Sequence, residues 1–505
     1  MTKIKHPKLK NPIEKQFNVV TRYHYFLFFI IFASKLPGLW HILNLIFLSP
    51  PMKYYCNSNV TSTNESNTCP CDEPSWDRTV FSETVQTKFG IYCEKSWIIS
   101  FSESMSYVGL LVGSLLFGFL SDRYGRLSMF TTCCLVLAVA GCLVSVMPTM
   151  TPFIIMRFFE GMGAGGAIVT AYVLCIEYCG VRHRETVTAL FHIPINLGHI
   201  TLAGMSYLLR NCDEFQLAIS IPMFLFVAAR WLVMESPKWL LDNDHCEEAI
   251  VVMEKFCNFN RGSCETIRAE IEAYFAEIKN KKQHRIKFYQ IFKYKKQCLN
   301  LGCMSIIYFV CGMGYYGVSQ FIGKMSGNIH LNVAISGALL LPGTIASIFL
   351  LQWLARRPLL IATNFLSGLF MIIVISFPEN FPWVRVIVAC ICNCFFFMSF
   401  ITVFLYGVEL FPTSVRNSVL GFLSFLSRFG QIVAPQVNDF SPIVAGGIFA
   451  SLAILGAIVT FPLPETKNTE LPSTLEDSNT LSRKVVHLEE DPGPKFIPPR
   501  PQTSQ

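Results

Sequence analysis

The chain has 505 residues, of which 52% are hydrophobic and 15% are charged, and its formal net charge is +7. This composition is too apolar for a soluble protein and predicts a chain that crosses a membrane several times. Because no spacing of nucleophiles, bases or metal ligands rises above background, we expect neither an enzyme nor a metal or cofactor site. We also expect no nucleic-acid partner, since the basic residues form no stripe with interleaved aromatics.

Twelve apolar runs of about 20 residues, the length that spans a bilayer, follow one another along the chain. The first six lie near 25–48, 98–120, 127–147, 150–174, 186–209 and 215–234. The last six lie near 298–319, 330–354, 358–377, 383–406, 418–437 and 441–463. We therefore predict an all-α fold of 12 transmembrane helices embedded in the lipid bilayer, with both termini on one side.

Four charged residues recur in the same order and at nearly the same spacing in both sets of runs. They are Arg126, Glu177, Arg184 and Glu235 in the first set and Arg356, Glu409, Arg416 and Glu465 in the second. The repeat predicts two pseudo-symmetric six-helix halves, 25–235 and 298–463, an arrangement typical of transporters. We assign 1–24 to an N-terminal segment, 236–297 to a linker with surface helices, and 464–505 to a disordered tail.

Lysine and arginine in the short segments fall on one face, which the positive-inside rule places in the cytoplasm together with both termini. The long loop between the first two runs, 49–96, would then lie outside the cell at the plasma membrane. It contains glycosylation sequons at Asn59 and Asn64. It also contains four cysteines, which predict two disulfides in any of three pairings: Cys56, Cys69, Cys71 and Cys93.

The turn GFLSDRYGR, residues 118–126, joins the second and third runs with glycines and charges. One interpretation is a basic loop that only sets topology. Because the charges recur in the second half, we favour a conformational latch that opens and closes during transport. Its candidate residues are Gly118, Asp122, Arg123, Gly125, Arg126, Glu177, Arg184, Glu409 and Arg416.

Two positive charges lie inside apolar runs, where an unpaired charge is costly. Arg428 is in the middle of the eleventh run, and Ser424, Arg428 and Gln431 share one helix face that can line a polar path. Lys35 is near the middle of the first run, with no acidic neighbour in that run. We predict that these residues bind substrate; the alternative for Arg428 is a structural pair with a neighbouring helix.

Other polar or aromatic residues inside the runs have two interpretations each. Tyr315 and Tyr316 offer flat faces to an aromatic substrate, or form a packing pair. The stripe Thr188, His192, Asn196 and His199 either tunes transport with pH or makes hydrogen bonds between helices. We assign Arg157 and Glu160 to a structural pair.

Several motifs resemble the major facilitator superfamily and, within it, the organic cation, anion and zwitterion transporters of solute carrier family 22. They are the cysteine-rich first loop, GFLSDRYGR, RFFEGMGAGG, ESPKWLL and YGVELFPTSVRN. The sequence departs from the family pattern at Leu127, at Gln352 and at Asn468. The resemblance implies a twelve-helix transporter of small organic ions that works by alternating access.

The resemblance also bears on the charge of the substrate. Arginine at position 428 is similar to the family's anion and zwitterion carriers, whereas cation carriers have aspartate there. The tyrosine pair resembles that of the organic-anion members, although Thr344 stands where several anion carriers have lysine. The resemblance therefore favours anions or zwitterions over cations. The alternatives are a sugar-porter-like transporter and a non-transporting receptor or scaffold with the same fold.

Overall fold

Long apolar helices make up most of the chain in the computed structural model, which describes residues 12–50, 52–56, 66–67, 69, 71, 74–180, 183–260, 266–279, 288–378, 380–411 and 415–467. All twelve predicted spans are present. Spans 1 to 6 are Arg22–Leu43, Cys93–Tyr124, Arg126–Val146, Met150–Glu177, Thr186–Leu208 and Cys212–Leu232. Spans 7 to 12 are Lys295–Lys324, Ile329–Trp353, Arg356–Ser376, Pro382–Leu410, Ser418–Val437 and Pro442–Thr460. We call spans 1 to 6 the first half and spans 7 to 12 the second half.

Glycines let neighbouring spans approach more closely than larger residues would allow. Between spans 2 and 4, a Cβ atom added to Gly109 would lie 2.0 Å from the carbonyl oxygen of Phe158. Between spans 7 and 11, a Cβ atom added to Gly312 would lie 2.2 Å from the carbonyl oxygen of Ser427. These contacts bring span 11, and with it Arg428, against span 7 and its tyrosine pair.

The two ends of the helix bundle differ. We call the end that carries residues 49–96 the loop face, and the opposite end, which carries residues 118–126, the turn face. On the loop face, the strands β1 (Tyr54–Cys56) and β2 (Pro74–Trp76) pair antiparallel, and a short helix follows at Val85–Phe89. The two predicted disulfides are present and join Cys56 to Cys71 and Cys69 to Cys93. Asn59 and Asn64 lie outside the described residues.

The turn face is covered by short helices from the N-terminal segment and the linker. They are Pro12–Phe17, Pro237–Asp242, Cys246–Phe259 and Ile267–Lys279, followed by a 3-10 helix at Phe288–Lys293. The ring of Phe17 packs 5.2 Å from that of Phe256, and the Asn260 side-chain oxygen accepts a hydrogen bond from the Tyr23 backbone N–H at 3.1 Å. Much of the linker therefore docks on the first half. The tail beyond residue 467 lies outside the described residues.

Candidate functional site

The two candidate cations lie in the interior of the bundle. Lys35 is 8% exposed; its Nζ donates to the carbonyl oxygen of Phe191 and lies 3.4 Å from the centroid of that ring. The guanidinium of Arg428 donates to Gln431 Oε1 at 3.1 Å and lies beside the Tyr316 hydroxyl. Within the described part of the chain, neither cation forms an ion pair with a carboxylate. Arg428 also acts electrostatically on Lys35, so this region holds two basic side chains without a carboxylate partner among the described residues.

An aromatic wall joins the two cations. The ring of Tyr315 lies 4.8 Å from that of Tyr316 and 4.9 Å from that of Phe397, which in turn lies 6.0 Å from His192. Lys35 acts electrostatically on His192, so the wall runs from one cation to the other. Flat rings beside uncompensated cations suit a ligand that has an apolar body and an anionic group.

The structure brings some of the predicted site residues into contact and leaves others apart. It places Arg428, Gln431 and Tyr316 in contact, and it links Lys35 to them through span 5 and the aromatic wall. Ser424 is half-buried one turn before Arg428 and hydrogen-bonds none of these residues. Sequence reasoning missed Phe191 and Phe397, because phenylalanine in an apolar run gives no sign that its carbonyl or ring faces a polar site.

A cluster of charges lies at the turn face of the first half. Arg126 Nε donates to Glu177 Oε1 at 3.0 Å, and Arg126 Nη1 pairs with Asp122. The Glu235 carboxylate accepts the backbone N–H groups of Arg126 at 2.9 Å and Leu127 at 3.0 Å, where span 3 begins. An anion at a helix N-terminus satisfies free N–H groups and the helix dipole. The cluster therefore ties together the turn, span 4 and the end of span 6.

The second half repeats this cluster. Arg356 Nη2 donates to Glu409 Oε1 at 3.0 Å, and Glu465 accepts the backbone N–H groups of Arg356 at 2.9 Å and Arg357 at 3.1 Å. Gln352 stands at the position that corresponds to Asp122, so Arg356 lacks the second carboxylate partner that Arg126 has. The repeat in the sequence already included all the carboxylates of these clusters except Asp122. Glu235 and Glu465 were among the repeated residues, but we did not count them as candidate latch residues.

The remaining latch candidates differ in their surroundings. Gly125 has φ +102°, and a Cβ atom there would lie 2.4 Å from Glu235 Oε2, so the turn requires glycine. Gly118 has more room, since a Cβ atom there would meet Val169 at 3.8 Å. The Arg123 guanidinium lies 5.5 Å from the Tyr124 ring centroid. Arg184 begins the helix Arg184–Leu190, but its side chain lies outside the described part of the structure.

Arg416 begins the helix of span 11 at the turn face and has an incomplete set of partners. Its Nε donates to the Phe411 carbonyl oxygen at 3.2 Å. Its Nη2 is buried and has no hydrogen-bond partner among the described residues. Burial removes water from the Arg416 guanidinium and lowers its pKa. This side chain is therefore available for a further partner.

Hydrogen bonds between the two halves lie at the loop face and in the middle of the bundle. At the loop face, Gln320 Nε2 donates to Glu103 Oε1 at 2.6 Å and Ser104 Oγ donates to Gln436 Oε1 at 2.9 Å. In the middle, Asn196 Nδ2 of span 5 donates to Thr344 Oγ1 of span 8 at 2.6 Å. The described hydrogen bonds thus join the halves at the loop face and beside the central site.

The predicted pair of Arg157 and Glu160 is present at 2.8 Å, and both side chains are fully buried. His41 Nδ1 lies 2.5 Å from the same carboxylate, and the side-chain nitrogens of Asn44 and Gln216 donate to it at 3.0 and 2.8 Å. The carboxylate thus connects spans 1, 4 and 6. This network supports the structural role that we predicted for the pair.

The Glu235 cap has a testable consequence for stability. Replacing Glu235 by alanine removes the acceptor of several N–H groups at the start of span 3, so we expect a loss of about 1–2 kcal/mol of stability. Thermal unfolding of the purified protein in detergent measures this as a lower melting temperature. Glu248→Ala is the matched control, because Glu248 is 68% exposed on a linker helix and its described ion pair is with His245 at 3.3 Å. Equal melting temperatures for the two variants would contradict the capping role.

Known proteins resemble this chain over most of its length. The sequence profile of the family described as "Sugar (and other) transporter" matches residues 35–476. Solute carrier family 22 member 3 of Rattus norvegicus is 30% identical over 435 residues, which cover 83% of this chain and 76% of that protein. The Organic cation transporter protein of Drosophila melanogaster is 28% identical over 450 residues, 86% of this chain and 81% of that protein. Organic anion transporter 3 of Oryctolagus cuniculus is 26% identical over 454 residues, 89% of this chain and 83% of that protein.

The fold also matches solved structures. The xylose transporter XylE from E. coli, in its inward open conformation, superposes with a TM-score of 0.66 at 15% identity, covering 91% of this chain and 100% of that chain. Twelve spans in this arrangement define a transporter of the major facilitator superfamily. The chain belongs to the Sugar (and other) transporter family and is a solute carrier family 22-like member of it. These proteins are transporters, so this chain is a multi-pass transmembrane transporter and not an enzyme.

Proposed function

We propose that the protein carries small organic anions or zwitterions across the plasma membrane. The observation that carries this proposal is the pair of uncompensated cations, Lys35 and Arg428, beside an aromatic wall. In a low-dielectric interior, an anionic group gains most where positive charge is already present and unpaired. The relatives are named for both cation and anion transport, so the charge of the site, and not their names, supports the choice of anions.

The proposed mechanism is alternating access between two six-helix halves. In this structure the halves are joined on the loop-face side by Gln320 and Glu103, and by Ser104 and Gln436. Substrate would then exchange with the central site from the turn face. To release substrate at the loop face, the halves must break these bonds and close at the turn face. The latch candidates at the turn face would hold that second state.

Uptake measurements test the substrate class. Cells that express the protein should accumulate radiolabelled aromatic carboxylates above mock-transfected cells, and permanently charged organic cations should accumulate more slowly or not at all. Hexose uptake without carboxylate uptake would favour a sugar-porter-like function. Binding of carboxylates without flux, with the protein at the surface, would favour a receptor. Cation uptake at a higher rate than anion uptake would overturn the proposed preference.

We further propose that the loop face is extracellular and that Asn59 and Asn64 carry N-glycans. The positive-inside distribution of charge and the disulfide-bonded loop support this orientation. Treating surface-expressed protein with an N-glycosidase should increase its electrophoretic mobility. The double variant Asn59→Gln/Asn64→Gln should already have the higher mobility and should not shift. An unchanged band for the surface-expressed wild type would contradict this orientation.

A further inference from the structure

Four buried polar atoms of span 5 have no hydrogen-bond partner in the described part of the chain: His192 Nδ1, Asn196 Oδ1, His199 Nε2 and Ser206 Oγ. Two of these atoms, Asn196 Oδ1 and His199 Nε2, belong to neighbouring residues that are almost completely buried. The two residues are 0% and 1% exposed. Because they are three positions apart in one helix, they lie on the same helix face. Buried polar atoms are nearly always satisfied by protein, water or ligand, so two neighbouring exceptions indicate a place where another group binds.

The partners of these side chains show that both open atoms are acceptors. His199 Nδ1 lies 2.9 Å from the Ile195 carbonyl oxygen, which can only accept, so Nδ1 carries the proton. In a neutral imidazole the other nitrogen, Nε2, then has a free lone pair. The Asn196 amide nitrogen donates to the Leu340 carbonyl oxygen at 3.3 Å, which fixes Oδ1 as the open atom. The missing partner is therefore a hydrogen-bond donor.

These acceptors adjoin the aromatic wall of the candidate site. The His199 ring centroid lies 6.5 Å from that of Tyr315, whose hydroxyl is also buried and has no partner among the described residues. Tyr315 packs 4.8 Å from Tyr316, which lies beside Arg428. The open acceptors thus lie beside Tyr315 within the wall, whereas Arg428 lies beside Tyr316.

We infer that His199 and Asn196 form a subsite for a hydrogen-bond donor on the substrate. The preferred substrates are then aromatic carboxylates that carry a hydroxyl or amino group at the end remote from the carboxylate. The carboxylate binds near Arg428, the ring lies on the tyrosine pair, and the donor reaches His199. This inference rests on the proposed function. It adds a requirement for a hydrogen-bond donor on the substrate, which the two cations alone would not select.

The test compares uptake of para-hydroxyphenylpropionate, its para-methoxy ether and unsubstituted phenylpropionate. The wild type should take up the hydroxyl compound with a kcat/KM about tenfold higher than the other two, since only the hydroxyl can donate to the open acceptors. His199→Phe keeps an aromatic ring but removes the acceptor, so the three rates should become similar to one another. His199→Gln supplies an amide oxygen and should keep part of the preference.

His245→Phe is the control, because His245 is a half-exposed linker histidine whose ring stacks 6.1 Å from that of Trp239. It should leave the preference unchanged. Equal uptake of all three compounds by the wild type overturns the subsite but leaves the proposed anion transport intact. Retention of the full preference by His199→Phe also overturns it. Absence of uptake of all three compounds would instead reject the proposed function, and the subsite with it. The comparison of substrates on the wild type needs no variant, so a folding defect in His199→Phe does not block the test.

Discussion

Arg428→Asp should nearly abolish the uptake of organic anions while the protein still reaches the membrane. The change replaces attraction by repulsion, and at an effective dielectric near 20 two unit charges about 4 Å apart interact by roughly 4 kcal/mol. Because Lys35 stays, the site keeps one cation, so uptake of organic cations should rise only weakly. Arg428→Lys keeps the charge but loses the planar fork, so it should raise the KM for carboxylates and leave measurable flux.

Initial uptake rates divided by surface-biotinylated protein separate this effect from trafficking. Arg230→Asp is the matched control. Arg230 is exposed near the turn-face end of span 6, where it donates to Ser128 Oγ at 2.6 Å, and it is not one of the central-site residues. It should retain most anion uptake. If Arg428→Asp reaches the surface and transports anions at the wild-type rate, Arg428 is structural and the anion preference is wrong.

The sequence predicted the twelve spans and the charged clusters because each depends on a regular pattern. Apolar runs of about 20 residues have one stable arrangement in a bilayer, which is a helix that satisfies its own backbone. The spacing of Arg126 and Glu177, repeated in Arg356 and Glu409, placed the same pair at the turn face of both halves. Because the same spacing occurs in both halves, the sequence supports this Arg–Glu contact twice, and the charged clusters could therefore be predicted.

The sequence could not predict contacts between side chains that are distant along the chain and belong to no repeat. The pairing of Cys56 with Cys71 was one of three possibilities, because composition and spacing do not fix the path of a loop. The interaction of Lys35 with the Phe191 carbonyl oxygen and ring depends on how spans 1 and 5 cross. The sequence placed Asn196 and His199 on one face, but only the packing shows which of their atoms remain open.

The structure also refines the latch hypothesis. The described ion pairs of Arg126 and Arg356 lie within one half each, so they shape the turn face but do not join the halves in this state. Among the described residues, two groups are candidates for contacts across the halves. The Asp122 side chain is 68% exposed, and Arg416 Nη2 has no partner in the described part of the chain. Asp122 lies in the last turn of span 2 and Arg416 begins the helix of span 11. Because these two helices pack together, we propose that the two side chains pair when the turn face closes.

A double-mutant cycle tests that pairing. Asp122→Asn and Arg416→Gln should each lower flux per surface molecule several-fold, because each removes one partner of an ion pair that stabilises only the state closed at the turn face. The double variant should be no slower than the slower single variant, since the second change removes a partner that has already lost its contact. The ion pair between Asp122 and Arg126 is absent from both Asp122→Asn and the double variant. Its loss therefore cancels when the effect of Arg416→Gln is compared with and without Asp122→Asn. Arg416→Lys should retain part of the flux, because it keeps the charge. If the fold-reduction in flux of the double variant equals the product of the two single fold-reductions, Asp122 and Arg416 act independently. This result would contradict the proposed latch.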